Sequence, residues 1–69
     1  GKGWFHMRQY WQFEYLSDFG KKTRFFYGTE AAVQRRVKRY QGDDKKLKTL
    51  NRAKAKYLKM EKKVHFIDL

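Results

Sequence analysis

The sequence predicts an α+β fold: one small basic domain spanning residues 1–69, in which a β-hairpin precedes two helices and a short C-terminal stretch reads as a strand or a tail. Three observations carry this. Residues alternate in character from Trp4 to Leu16, turn-forming residues follow directly, and beyond Thr29 the apolar residues recur at helical spacing.

The hairpin is expected over residues 4–27. Phe5, Met7, Trp11, Phe13 and Tyr15 fall on one side of the first strand, with His6, Arg8, Gln12 and Glu14 on the other. Ser17-Asp18-Phe19-Gly20-Lys21-Lys22 then supplies turn chemistry, since Asp18 can bond its own backbone and Gly20 can take a positive φ. A second strand runs from about Thr23 to Tyr27. Its Phe25 and Tyr27 are expected to face the same side as the apolar set of the first strand, with the register left open.

A helix is predicted over 30–41, with Thr29 as N-cap and Glu30 in the first turn, where the helix dipole favours negative charge. Val33, Val37 and Tyr40 line its apolar face, Arg35, Lys38 and Arg39 the opposite one, and Gly42 stops it. A second helix is predicted over 45–62, capped by Asp43 or Asp44. Its apolar arc comprises Leu47, Leu50, Ala53, Tyr57, Leu58 and Met60. Residues 64–69 alternate, and as a strand they would add to the hairpin edge.

Charge bounds the function. Eighteen Lys and Arg oppose seven Asp and Glu, a formal net charge of +11 on 69 residues. Such a charge resists compaction unless a polyanion shares the field. The 19% aromatic content and clean periodicities argue against disorder. With no cysteine, no secretory leader pattern and no apolar run of spanning length, the chain reads as intracellular, in cytoplasm, nucleoid or a ribonucleoprotein particle.

The most informative constellation is Lys45, Lys48, Arg52, Lys56, Lys59 and Lys63, whose spacing puts all six on one stripe of the second predicted helix. That ridge would be roughly 27 Å long at the rise of an α-helix. A solvated lysine face is the bland alternative, but solubility alone is served by mixed signs. The ridge is of one sign, and Arg35, Lys38 and Arg39 extend it, so polyanion binding is preferred.

On the non-core face of the hairpin, Trp4, Arg8, Tyr10, Arg24 and Phe26 form a candidate base-stacking platform with His6. A domain this small needs its aromatics inside, so a core or interface role for them ranks above stacking.

Catalysis finds little support: the chain has no glycine-rich phosphate loop, and its only serine, Ser17, sits in a turn. Helix capping accounts for Asp43-Asp44 more simply than Mg²⁺ binding, and His6 and His65 read as ordinary surface or packed histidines. No enzyme activity, metal or cofactor is expected.

The first functional reading is therefore a non-catalytic module that binds the phosphates of RNA or DNA. Nearly all the cations of the second predicted helix are lysines, which act as point charges and read base edges poorly, so structured RNA or a ribonucleoprotein is slightly favoured over a specific DNA site. The second is a small inhibitor or adaptor, of a kind found among viral and mobile-element proteins, docking on an acidic protein groove. Attachment to an anionic membrane ranks last, because the apolar arc of the second helix is needed to cover the hairpin.

Overall fold

The computed structural model describes residues 7–40 and 46–69. Its elements are β1 (Gln9–Ser17), β2 (Gly20–Gly28), α1 (Glu30–Val37), β3 (Lys46–Leu50), α2 (Arg52–Glu61) and β4 (Ile67–Asp68). The four strands form one mixed sheet in the order β3-β1-β2-β4, with β4 parallel to β2 and the other neighbours antiparallel. The chain is thus a small α+β domain of two strands, a helix, a strand and a second helix, closed by the short strand at the hairpin edge.

A two-residue turn at Asp18-Phe19 closes the hairpin. The Ser17 hydroxyl accepts a hydrogen bond from the Phe19 amide at 3.1 Å and donates to the Gly20 carbonyl at 2.8 Å. Gly20 takes φ +104°, which side-chain-bearing residues rarely adopt. Ser17 therefore sits opposite Gly20, and Trp11 opposite Phe26. This corrects the expected facing of β2: Phe26 joins Trp11, Phe13 and Tyr15 on the core face, while Phe25 and Tyr27 lie with Tyr10 and Gln12 on the other.

The core gathers on the Trp11 face. Trp11, Phe13, Tyr15, Phe26, Val33 and Val37 form one buried cluster, with Tyr40, Leu47, Ile67 and Leu69 packed against it. The Trp11 indole donates to the Gly28 carbonyl at 3.0 Å, so its one polar atom is satisfied in a buried setting. Gly28 itself permits a close approach: a Cβ there would stand 3.1 Å from the Leu69 Cβ. Met7, expected on the core face, is exposed, and Phe5 lies outside the described residues.

α1 starts where expected. Thr29 has extended φ and ψ, and its hydroxyl accepts from the Ala32 amide at 3.2 Å. The helix ends at Val37, short of the predicted 41, because the chain tightens into i→i+3 bonds from Arg39 to Arg36 and from Tyr40 to Val37. This turn lays the Tyr40 ring beside Phe13, Tyr15 and Phe26, with centroids 5.4, 4.7 and 6.5 Å away. Gly42, the expected stop, lies outside the described residues, as do Asp43, Asp44 and Lys45.

The predicted second helix divides into two elements. Lys46–Leu50 is strand β3, paired with β1 from Tyr10 to Glu14, and Leu47 reaches the core beside Phe13. Asn51 then caps α2, with its side-chain carbonyl accepting from the Lys54 amide at 2.7 Å. Of the expected apolar arc, Ala53, Tyr57 and Met60 are exposed and Leu58 is half-buried; the buried residue of α2 is Ala55. Lys63, at φ +56°, ends the helix in the left-handed region, and the Val64 amide bonds back to the Leu58 carbonyl at 3.0 Å. Phe66 is buried against Tyr10 and Phe25, so α2 and the segment after it cross from the β3 edge to the β4 edge on the Tyr10 side of the sheet.

Trp11→Ala removes both the packing and the indole hydrogen bond and should cost about 3–5 kcal/mol. That is much of the roughly 3–10 kcal/mol a chain this short commonly holds. Met7→Ala, at an exposed position, should stay within about 0.5 kcal/mol. Urea melts of the two variants check the assignment of faces; equal midpoints would place the core on the wrong side.

Candidate nucleic-acid interface

Register brings the site together. Alternation along β1 and β2 puts Tyr10 and Tyr27 directly opposite each other on the face turned away from Trp11, with ring centroids 4.5 Å apart. Phe66 closes edge-on against Tyr10 at 5.1 Å. Two cations sit on this aromatic group. The Lys59 ammonium lies 4.7 Å from the Tyr10 centroid and 5.6 Å from that of Phe66, and it donates to the Tyr10 hydroxyl at 3.2 Å. The Arg8 guanidinium lies 4.7 Å from the Tyr27 centroid, pairs with Asp68 and donates to the Leu69 carbonyl at 2.8 Å. Each cation over a ring is held by the ring quadrupole as well as by its hydrogen bonds.

Beside Tyr10 and Tyr27 opens a cleft of about 340 Å³, lined also by Arg52, Lys56, Lys59 and Met60. The three cations stand at i, i+4 and i+7 of α2 and so share one helix face. Lys48 lies opposite Gln12 in β3, which puts it on the same side of the sheet as Tyr10. No carboxylate lines this cleft among the described residues. An adjoining cleft of about 280 Å³ shares Tyr10, Tyr27 and Lys59, and adds Val64, His65, Phe66 and Asp68.

The predicted ridge is therefore regrouped. Arg52, Lys56 and Lys59 come together on one cleft, while Lys48 stands on strand β3, on the same side of the sheet but outside that lining. Lys63 becomes the residue that stops α2, and Lys45 is outside the described residues. Arg35 on α1 and Lys38 and Arg39 in the turn that follows it lie exposed, and α1 packs on the core face, so they belong to a separate surface. There Arg35, Arg36 and Arg39 border a shallow groove with Ala32 and Leu69.

Two members of the expected stacking platform, Phe26 and Arg24, lie on the opposite face. Phe26 is 0% exposed in the core, because the odd positions of β1 face the even positions of β2. Arg24 follows it to the core side, 5.8 Å from the Tyr15 ring centroid. Tyr10 is half-buried among Tyr27, Phe66 and Lys59, Arg8 is engaged with Asp68, and Trp4 and His6 are outside the described residues. Sequence reasoning missed Tyr27 as a member of the site, and only the hairpin register could have supplied it. His65 is exposed, and the terminal strand beside it pairs with β2, not β1. Among the described residues no group of three or more His, Cys, Asp or Glu could hold a metal ion.

No protein-family model, curated protein or solved structure matches this chain. Among the described residues, no helix is long and apolar enough to cross a membrane.

Asn51→Ala should cost about 1 kcal/mol by leaving the first turn of α2 uncapped. Far-UV circular dichroism with a thermal melt reads the loss; in a helix starting near residue 45 the same change would raise the melt slightly.

Proposed function

We propose that the chain is a non-catalytic nucleic-acid-binding module that grips phosphates through Lys48, Arg52, Lys56 and Lys59. The observation that carries this is the cleft beside Tyr10 and Tyr27: three α2 cations line it, and no carboxylate among the described residues does. Like charges three or four residues apart on a helix repel by a few tenths of a kcal/mol per pair. Phosphate oxygens relieve that repulsion and release condensed counterions. Lys59 is already oriented by Tyr10, so less side-chain freedom is lost when it engages a phosphate. The exposed Arg35 on α1, with Lys38 and Arg39 just after it, offers a second phosphate-binding surface on the other side of the sheet.

RNA, alone or in a ribonucleoprotein, is favoured over a specific DNA sequence. Lysine dominates the surface and discriminates bases poorly, whereas a DNA-reading helix presents Asn, Gln or bidentate Arg to base edges. The second reading, an adaptor docking on an acidic protein groove, draws on Tyr57 and Met60, which are exposed on α2 alongside its cations. Tyr, Met and Arg are the residue types enriched at protein interfaces.

Fluorescence anisotropy with single-stranded RNA, duplex RNA and duplex DNA of equal length, over a salt series, tests the first reading. Four phosphate contacts should give a slope of log affinity on log salt of about −3, from 0.7–0.9 per contact. Reversing Lys48, Arg52 and Lys56 to glutamate should remove about two to two and a half units of that slope and abolish binding at moderate salt, without lowering the melt. Weak binding to all three nucleic acids at low salt would overturn the reading and leave the acidic protein groove.

A further inference from the structure

The tip of the β1–β2 hairpin carries a second device. β3 pairs with β1 only as far as Glu14, and β4 meets β2 only at Phe26 and Tyr27. Beyond them, Tyr15–Lys22, Leu16–Lys21 and Ser17–Gly20 pair with each other alone among the described residues. They form a two-stranded ribbon about 10 Å long at the rise of an antiparallel strand, topped by the Asp18-Phe19 turn. Phe19 is 89% exposed, the most exposed large apolar side chain among the described residues.

Nothing in the turn needs that ring. The bend is held by the Ser17 hydroxyl and by the positive φ of Gly20, and turn positions favour Gly, Asn, Asp or Ser over a bulky aromatic. An isolated exposed apolar residue is ordinary on a protein surface. This one stands at the apex of a projecting ribbon, above exposed Lys21 and Lys22, with Asp18 the one carboxylate of the turn. An aromatic ring flanked by cations fits a ligand that presents a flat apolar face beside negative charge. An unpaired nucleobase with its flanking phosphates is such a ligand.

We propose that Phe19 stacks on an unpaired or extruded base while Lys21 and Lys22 contact the adjoining phosphates, so the ribbon tip selects distorted over regular nucleic acid. This rests on the phosphate-binding reading and adds a second contact point, apart from the α2 cleft. It also supplies the stacking function that the buried Phe26 and engaged Tyr10 cannot.

The test uses two RNA hairpins of equal length, one fully paired and one carrying a single bulged 2-aminopurine, with the full chain and its Phe19→Ser and Phe19→Trp variants. The unaltered chain should bind the bulged RNA about tenfold more tightly and quench its fluorescence, as expected for one stacked base. F19S should keep the affinity for the paired hairpin, the salt slope and the melt, and lose the tenfold preference and the quenching; F19W should keep both. An undiminished bulge preference in F19S overturns the tip alone, as does an unaltered chain that binds both RNAs equally. Failure of the unaltered chain to bind either RNA removes the phosphate reading, and this one with it. If F19S instead loses only its partition into phosphatidylcholine–phosphatidylserine vesicles, the tip belongs to lipid and the proposal is overturned.

Discussion

The pairing of Ser17 with Gly20 settles which side chains of β1 and β2 share a face. A strand has a side-chain period of two, so a register shift of one residue would exchange the two faces of β2. With this register, Phe26 lies opposite Trp11 and completes a buried aromatic face for Val33 and Val37 to cover. The same pairing puts Tyr27 opposite Tyr10 and creates the aromatic base on which Arg8 and Lys59 rest. Core and candidate site are thus two faces of one hairpin, and the Ser17 and Gly20 turn is their common origin.

Net charge sets the second constraint. A core of a few aromatics and valines must hold together a chain of net charge +11, and ion pairs do little of the work: among the described residues the one salt bridge joins Arg8 to Asp68. The cations are distributed instead. Those of α1 lie on the core side of the sheet, those of α2 on the Tyr10 side, and Lys46 and Lys48 on β3, an edge strand. Lysines along an edge also guard its unpaired backbone against another strand. Aromatic rings beneath Arg8, Arg24 and Lys59 stabilise positive charge without adding acids that would blunt the field.

What could be read from the sequence follows from how unambiguous each local signal is. Thr29 followed by Glu30 and the Val33–Val37 spacing admit one structure, and α1 begins there. Ser17, Asp18 and Gly20 likewise mark a turn, and the terminal alternating stretch does join the hairpin edge. Lys46-Leu47-Lys48-Thr49-Leu50 is different. Leu47 and Leu50 are three apart, which suits a helix, while Leu47 and Thr49 alternate with lysines, which suits a strand. Pairing with β1 decides between them, and that contact is non-local. Asn51 was the local clue, since an N-cap in mid-helix competes with helical bonding. The site suffered from the same ambiguity: its lysines were legible as charge, but their grouping depended on where α2 begins and on which face Tyr27 takes.

The regrouping changes what the surface can do. Six cations on one straight helix would make a uniform rod of charge, indifferent to where a phosphate lands. Arg52, Lys56 and Lys59 of a short helix instead border a concave patch, walled by Tyr10 and Tyr27 and by the Met60 side chain, with Lys48 on a strand at the same side of the sheet. A concave patch between low-dielectric walls focuses the field and favours a phosphate group over a diffuse counterion cloud. For a polyanion bound there, affinity and stability are linked: the ligand binds the folded chain, which alone assembles the patch, and so draws the folding equilibrium toward it. Relief of the self-repulsion that weakens the free domain would then add to the free energy of binding. A protein with this little core gains more from such a ligand than a neutral domain of equal size would.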